Sequence, residues 1–194
     1  DGLVYMDGNS LGALPRATAA RINQAIASEW GEGLITSWLD ADWVNAPQRV
    51  GDKIAGLVGA GPGEIVAADS TSVNLFKALT AALSLRPDRS VILSERTNFP
   101  TDVYMMQGIE AFSGGRIRSV TVDPNDVLDR IADDVAVLLL TQVHYKTGQV
   151  RDMMDITARA HAKGALVIWD LSHSAGAIVV DLNAAQADFA VGCG

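Results

Sequence analysis

Apolar positions recur along the chain with two different periods. Near the start, Ile22, Ile26 and Trp30 fall four residues apart, which predicts a helix after the loop marked by Gly8, Gly12 and Pro15. Val50, Ile54, Leu57 and Val58 share one face of a second helix, with Pro47 in its first turn and the glycine cluster GAGPG (59–63) at its end. Beyond residue 63 short apolar runs and helical patterns alternate. EIVAAD (64–69), SVILSE (90–95), RIRSVTVD (116–123), ALVIWDLS (165–172), GAIVVDL (176–182) and ADFAVGCG (187–194) read as strands. VAVLLLTQV (135–143) is apolar without a break over 135–140, the pattern of a strand covered on both faces. Between them TSVNLFKALTAALSL (71–85), PTDVYMMQGIEAF (100–112), PNDVLDRIAD (124–133) and DMMDITARAHAKG (152–164) read as helices. Such alternation predicts an α/β fold, a mostly parallel sheet with helices on both faces and right-handed crossovers.

Composition narrows the function classes. With 194 residues and 48% hydrophobic content, the chain can bury one sizeable core. A net charge of −8 argues against nucleic acid or an anionic membrane surface as partner. The longest strictly apolar run is too short to span a bilayer, and DGLVYMDGNSLG (1–12) lacks the charged-then-apolar layout of a secretory signal. A single cysteine, Cys193, rules out an intrachain disulfide, fits a reducing compartment and reads as a small buried hydrophobe. GAGPG lacks the lysine and hydroxyl of a P-loop and follows a helix, so it is not taken as a phosphate loop; no His, Cys and carboxylate set has metal-ligand spacing.

Ligands of parallel α/β sheets bind beyond the carboxyl ends of the strands. Those ends present Ser70, Thr71 and Ser72; Thr97, Asn98, Phe99 and Pro100; Thr141, Gln142 and His144; and Asp170 and His173. Each has a plain structural reading. Thr71 or Ser72 alone suits a helix N-cap, worth about 1 kcal/mol. Phe99 could staple its own helix. Asp170 could shape a turn, His173 could be a satisfied loop residue, and His161 reads as a surface residue of its helix. Together they describe something more specific. Hydroxyls and free N–H groups at a helix start suit a phosphate. An aromatic face suits a flat ring. A buried carboxylate suits a ring nitrogen that must stay protonated. That combination is pyridoxal 5′-phosphate.

The motifs YMDGNSLG (5–12), STSVNLFKAL (70–79), NFPTD (98–102), VHYKTGQ (143–149), DLSHSAG (170–176) and DFAVGCG (188–194) resemble, in order and spacing, those of the kynureninases. These are fold-type-I pyridoxal-phosphate enzymes that hydrolyse L-kynurenine to anthranilate and L-alanine by cleaving the Cβ–Cγ bond. The resemblance implies that Thr71 and Ser72 hold the cofactor phosphate. Phe99 would stack on the pyridine ring, with Pro100, Thr101 and Asp102 lining the cofactor. Thr141 would contact the ring, Asp170 would pair with the pyridinium nitrogen and His173 would lie beside it. Ser10 and Trp38 would belong to the substrate pocket. The resemblance also implies a cytoplasmic homodimer with its active site at the subunit interface, and leaves open whether 3-hydroxykynurenine is also a substrate. In the family the Schiff-base lysine follows the F-A-x-x-C-x block at once. Here that block ends at Gly194, and Lys53, Lys77, Lys146 and Lys163 do not occupy the matching place. Residues 1–48 are expected to form an N-terminal segment and helix, and 49–194 an incomplete cofactor-binding large domain, with the family's small C-terminal domain absent. Alone, residues 1–194 are expected to be inactive. Two other readings stand beside this one. The first is another fold-type-I enzyme, such as a cysteine desulfurase or class V aminotransferase; the second is a non-catalytic nucleotide-binding α/β module.

Overall fold

The computed structural model describes residues 2–193. Five parallel strands, β1 (Val91–Glu95), β2 (Arg118–Val122), β3 (Val135–Thr141), β4 (Leu166–Asp170) and β5 (Phe189–Val191), form one sheet in the order β2-β1-β3-β4-β5. Helices α1 (Thr18–Gln24, continuing as a π-helical turn, Ala25–Trp30), α2 (Ser37–Asp40) and α3 (Ala46–Val58) precede it. Helices α4 (Thr71–Ser84), α5 (Pro100–Phe112) and α6 (Met153–Ala162) connect to or cross between the strands.

The apolar run of β3 serves two cores. Val135, Leu138 and Leu140 join Val58 of α3 and Met153, Ile156 and Ala160 of α6 on one face. Ala136, Val137 and Leu139 join Leu75 and Leu79 of α4 and Met106 and Ile109 of α5 on the other. Strict alternation would separate Ala136 from Val137. They share a face because the β1–β3 register slips there: Val91 pairs with Val135, but Ile92 pairs with Val137.

Three predicted elements form differently. EIVAAD is not a strand, because its backbone bonds to α3 instead: Gln48 Nε2 donates to Ile65 O and Ala67 N to Pro47 O. Gly51 permits this contact, since a Cβ there would stand 1.9 Å from Ile65 O. PNDVLDRIAD buries Val127 and Ile131 at helical spacing, yet it is a series of turns. Asp123 Oδ1 accepts from Asn125 N and starts an Asx turn that competes with helix. GAIVVDL puts Val180 and Leu182 into the core but runs as turns, with Leu182 N bonded to Val58 O at the end of α3. In these last two segments the apolar pattern reports burial, not a ladder.

The helical faces near the start are also used differently. Ile22, Ile26 and Trp30 lie on one helical run, as predicted, but all three are exposed. In α3 the buried positions are Gly51, Ala55 and Val58, while Val50 and Leu57 face outward. Residue 48, where the sequence suggested a change of unit, lies in the first turn of α3. Cys193 is exposed rather than buried. His161 is half-buried, its Nε2 2.7 Å from Asp188 Oδ2, so it ties α6 to the approach to β5 instead of standing free on the surface.

Candidate active site

The strand order locates the site. From β1 the chain moves outward to β2, then returns to lay β3 on the other side of β1, so the direction of winding reverses between β1 and β3. Ligands of open parallel sheets bind outside the strand ends at such a point. β1 leads into Asn98 and Phe99, β3 ends at Thr141, and β4 ends beside it, with Thr141 paired to Asp170.

Asn98 organises these ends, although the sequence placed it at the end of its strand without giving it a role. It is buried, and its Oδ1 accepts from both Phe99 N (2.8 Å) and Thr141 Oγ1 (2.6 Å). Its Nδ2 donates to Ser94 Oγ (3.1 Å), which donates in turn to Leu139 O (2.7 Å). Thr141 therefore spends its hydroxyl hydrogen inside the protein, on the residue that sets the backbone of Phe99. An asparagine at a strand end just before an aromatic and a proline was the available signal.

Phe99 occupies the N-cap position of α5, followed by Pro100 and Thr101 in the first turn. A hydrophobic staple would use the preceding position, which Asn98 holds. The Phe99 ring instead meets Tyr145 edge-on at 5.0 Å and lies 6.5 Å from the His173 ring, and it stays 37% exposed. Tyr145 stacks on His144 at 5.4 Å and 20°. Tyr145 was not singled out from the sequence, because a loop tyrosine carries no periodic signal.

Two carboxyl groups meet below this aromatic group. Asp170 and Asp102 are each 2% exposed. Asp170 Oδ1 accepts from Ser172 N (2.9 Å) and Ser172 Oγ (2.6 Å). Asp102, in the first turn of α5, receives no hydrogen bond at Oδ2 from any protein donor among the described residues. Burial, reinforced by the neighbouring Asp170 carboxylate, pushes the Asp102 carboxyl up to about 8. A buried carboxyl that holds its proton beside a second buried carboxyl group forms an electrostatic demand. A cation or an N–H⁺ donor beside them would satisfy it.

The phosphate end is built differently from the sequence reading in one detail. Ser70 is the N-cap of α4, its Oγ accepting from Val73 N, so Thr71 and Ser72 are not needed as caps. Thr71 Oγ1 donates to Gly192 O at 3.1 Å, which brings the start of α4 beside the segment after β5. The first-turn N–H groups of this 14-residue helix and two hydroxyls suit a phosphate.

His173 is half-buried, with its Nδ1 2.8 Å from Asn9 Nδ2, so the N-terminal segment reaches the site. Next to Asn9, Ser10 is exposed and donates to Asp7 Oδ1 at 2.7 Å. Trp38 is not brought to this cluster: its ring contact is with Trp43, 6.3 Å away and edge-on. The fold thus gathers Phe99, Asp102, Thr141, Asp170 and His173 about the carboxyl ends of β1, β3 and β4, with Asn98 and Tyr145 added, and sets Thr71, at the start of α4 with Ser72, beside the segment after β5. The donor set fits pyridoxal phosphate at both ends, with helix amides and hydroxyls at one and a proton-holding acid pair at the other.

Comparison with known proteins agrees with this geometry. Solved structures of a NifS-like protein and of a cystine C–S lyase with its product cysteine persulfide both superpose with a TM-score of 0.78. They share 15% and 19% sequence identity with the chain and are covered over 53% and 52% of their own lengths, so the likeness is one of fold. Kynureninases of Burkholderia pseudomallei (strain K96243) and Pseudomonas fluorescens are 51% and 48% identical over 99% and 100% of this chain. The chain spans about half the length of these relatives, 47% and 48% respectively. The kynureninase resemblance of the six motifs therefore extends to the whole sequence. The aminotransferase class-V family model matches residues 4–194, and the chain belongs to that family.

Proposed function

We propose that this chain supplies the cofactor-binding part of a pyridoxal-phosphate enzyme that hydrolyses L-kynurenine to anthranilate and L-alanine. The observation that carries the reading is the buried Asp102–Asp170 pair, joining the start of α5 beside Phe99 to the carboxyl end of β4. Identity near 50% to two kynureninases selects this chemistry over that of the desulfurases and lyases, which share only the fold.

When bound, the cofactor supplies an electron-withdrawing ring that stabilises negative charge on the substrate carbon next to the amine. The protein's part is to place that ring and keep its nitrogen protonated. Asp170, fixed by Ser172, and Asp102, fixed in the first turn of α5, hold the proton. Phe99 covers a ring face, and Pro100 and Thr101 set its entry into α5. Asn98 and Thr141 lock the backbone that presents it. Thr71, Ser72 and the α4 amides hold the phosphate. Ser10, next to the His173-bound Asn9, lines the substrate side, and Trp38 reaches it only if the N-terminal segment repacks around substrate.

The bond from Thr71 to Gly192 sets α4 beside the block after which the family's lysine follows, which supports a catalytic lysine just beyond Gly194. Exposed Ile22, Ile26, Trp30, Ile35 and Leu39 form apolar surface that supports a homodimer. No described helix is long and apolar enough to cross a membrane, and the reading places the enzyme in the cytoplasm.

The test is to assay the full-length protein for anthranilate release from kynurenine and from its 3-hydroxy form, beside cysteine desulfuration. Borohydride reduction followed by peptide mapping should label a lysine beyond Gly194. Label on Lys77 or Lys146, or sulfide release from cysteine without anthranilate, would refute the proposal.

A further inference from the structure

Below the aromatic platform lies a second ionic cluster. Glu95, the last residue of β1, has a fully buried side chain, and it pairs with the Arg151 guanidinium, which is also buried. The pairing is incomplete. Glu95 Oε1 and Arg151 Nε have no hydrogen-bond partner among the described residues, and His144 Nε2 approaches Oε1 only to 3.8 Å. A buried ion pair with orphaned atoms is a poor stabilising device, since its desolvation goes partly uncompensated. Its place in the chain suggests another use.

Residues 142–151 leave the sheet after β3 and return as a narrow excursion. It is closed by the Val143–Val150 bridge and by the bonds from Arg151 N to Gln142 O (2.9 Å) and His144 N to Gln149 O (2.9 Å). Two side chains fasten this excursion to the end of β1: Arg151 at its base, through Glu95, and His144 near its tip. His144 Nε2 lies 3.0 Å from Thr97 O, and its Nδ1 faces the amides of Lys146 (3.2 Å) and Thr147 (3.3 Å). That set requires a ring with its proton on Nε2 and a free acceptor at Nδ1. The tip between the fasteners is Tyr145, stacked on His144 and edge-on to Phe99.

We propose that Glu95, Arg151 and His144 are positioning residues that fasten the 142–151 excursion to β1, so that Tyr145 buttresses Phe99 in the orientation the cofactor ring needs. The inference rests on the reading of Phe99 as the cofactor's stacking surface. It assigns the cluster a task that apolar packing at the same place would not perform.

The test uses the full-length protein and three readouts: thermal midpoint of the cofactor-free form, amide hydrogen exchange at 145–149, and pyridoxal-phosphate Kd from absorbance titration. Glu95→Gln/Arg151→Met removes both charges together and so leaves no lone buried ion. Its midpoint should stay within a few degrees of wild type. Exchange at Lys146 and Thr147 should accelerate at least about tenfold, and Kd should rise by a similar factor. His144→Asn, which cannot reach both Thr97 O and the two amides, should reproduce the exchange and Kd changes if the double variant does not fold. Wild-type exchange and a Kd within about twofold in either variant overturns the positioning role. Wild-type protein that takes up no pyridoxal phosphate overturns this inference and the proposed function together, whereas uptake with unchanged variants overturns the inference alone.

Discussion

Replacing Asp102 by asparagine tests the acid pair directly. The Asp102 carboxyl is 2% exposed and lies against Asp170, and its folded-state value is raised from 3.8 to about 8. The folded, cofactor-free protein therefore keeps a proton that the unfolded chain releases above about pH 4. Folding stability is fullest below that point. It falls as pH rises by one proton's worth, about 1.4 kcal/mol per unit, and levels off above the folded value. Between pH 5 and 7 this single group should cost the wild type about 3 kcal/mol, and between pH 5 and 8 roughly 3.5. Asparagine has nearly the shape of the protonated acid and can donate to Asp170, yet it does not titrate. Urea denaturation of cofactor-free full-length protein and of Asp102→Asn at pH 5, 6, 7 and 8 gives the comparison. The difference in stability, variant minus wild type, should climb by about 3 kcal/mol from pH 5 to 7. Parallel curves would show that Asp102 ionises in the folded state as it does in water, and the proton-holding role would fall with it.

Three further substitutions probe separate parts of the site. Phe99→Leu should weaken pyridoxal-phosphate binding about fivefold, the equivalent of ~1 kcal/mol of ring contact, with little change in the cofactor-free melting point because the ring is not in the core. A fall in melting point with unchanged Kd would return Phe99 to a packing role. Asp170→Asn should leave circular dichroism unchanged and lower kcat for kynurenine more than about 100-fold, or ~3 kcal/mol of barrier, because an amide cannot hold a pyridinium proton. Near-normal turnover would remove it from the mechanism. Gly51→Ala should destabilise the protein by about 2 to 3 kcal/mol in chemical denaturation, since its Cβ would meet Ile65 O at 1.9 Å, and it should loosen the 64–69 segment that leads into the phosphate cup.

Of the residues proposed to hold the cofactor, Phe99, Thr141 and Asp170 were legible because they end or follow strands that local pattern fixes, whereas Thr71 and Ser72 were found from the start of their helix, since EIVAAD before them is not a strand. The run over 135–140 could only be a strand with both faces covered, so Thr141 had to be at its end; ALVIW placed Asp170 in the same way. The missed residues depend on contacts across the chain. Glu95 and Arg151 stand 56 positions apart, and Asn98 meets Thr141 across 43. No periodicity records such meetings. The mistaken strands fail for a related reason. GAIVVDL buries Val180 and Leu182, whereas EIVAAD only half-buries Ile65 and leaves Val66 exposed, and the backbone of both bonds to α3 rather than to the sheet. Hydrophobic pattern reports what is buried. Hydrogen-bond partners decide what shape the buried segment takes, and for a short apolar run those partners lie elsewhere in the chain. At this site the same division separates the groups proposed to touch the cofactor, which local pattern places, from the groups proposed to hold them still, which only the fold brings together.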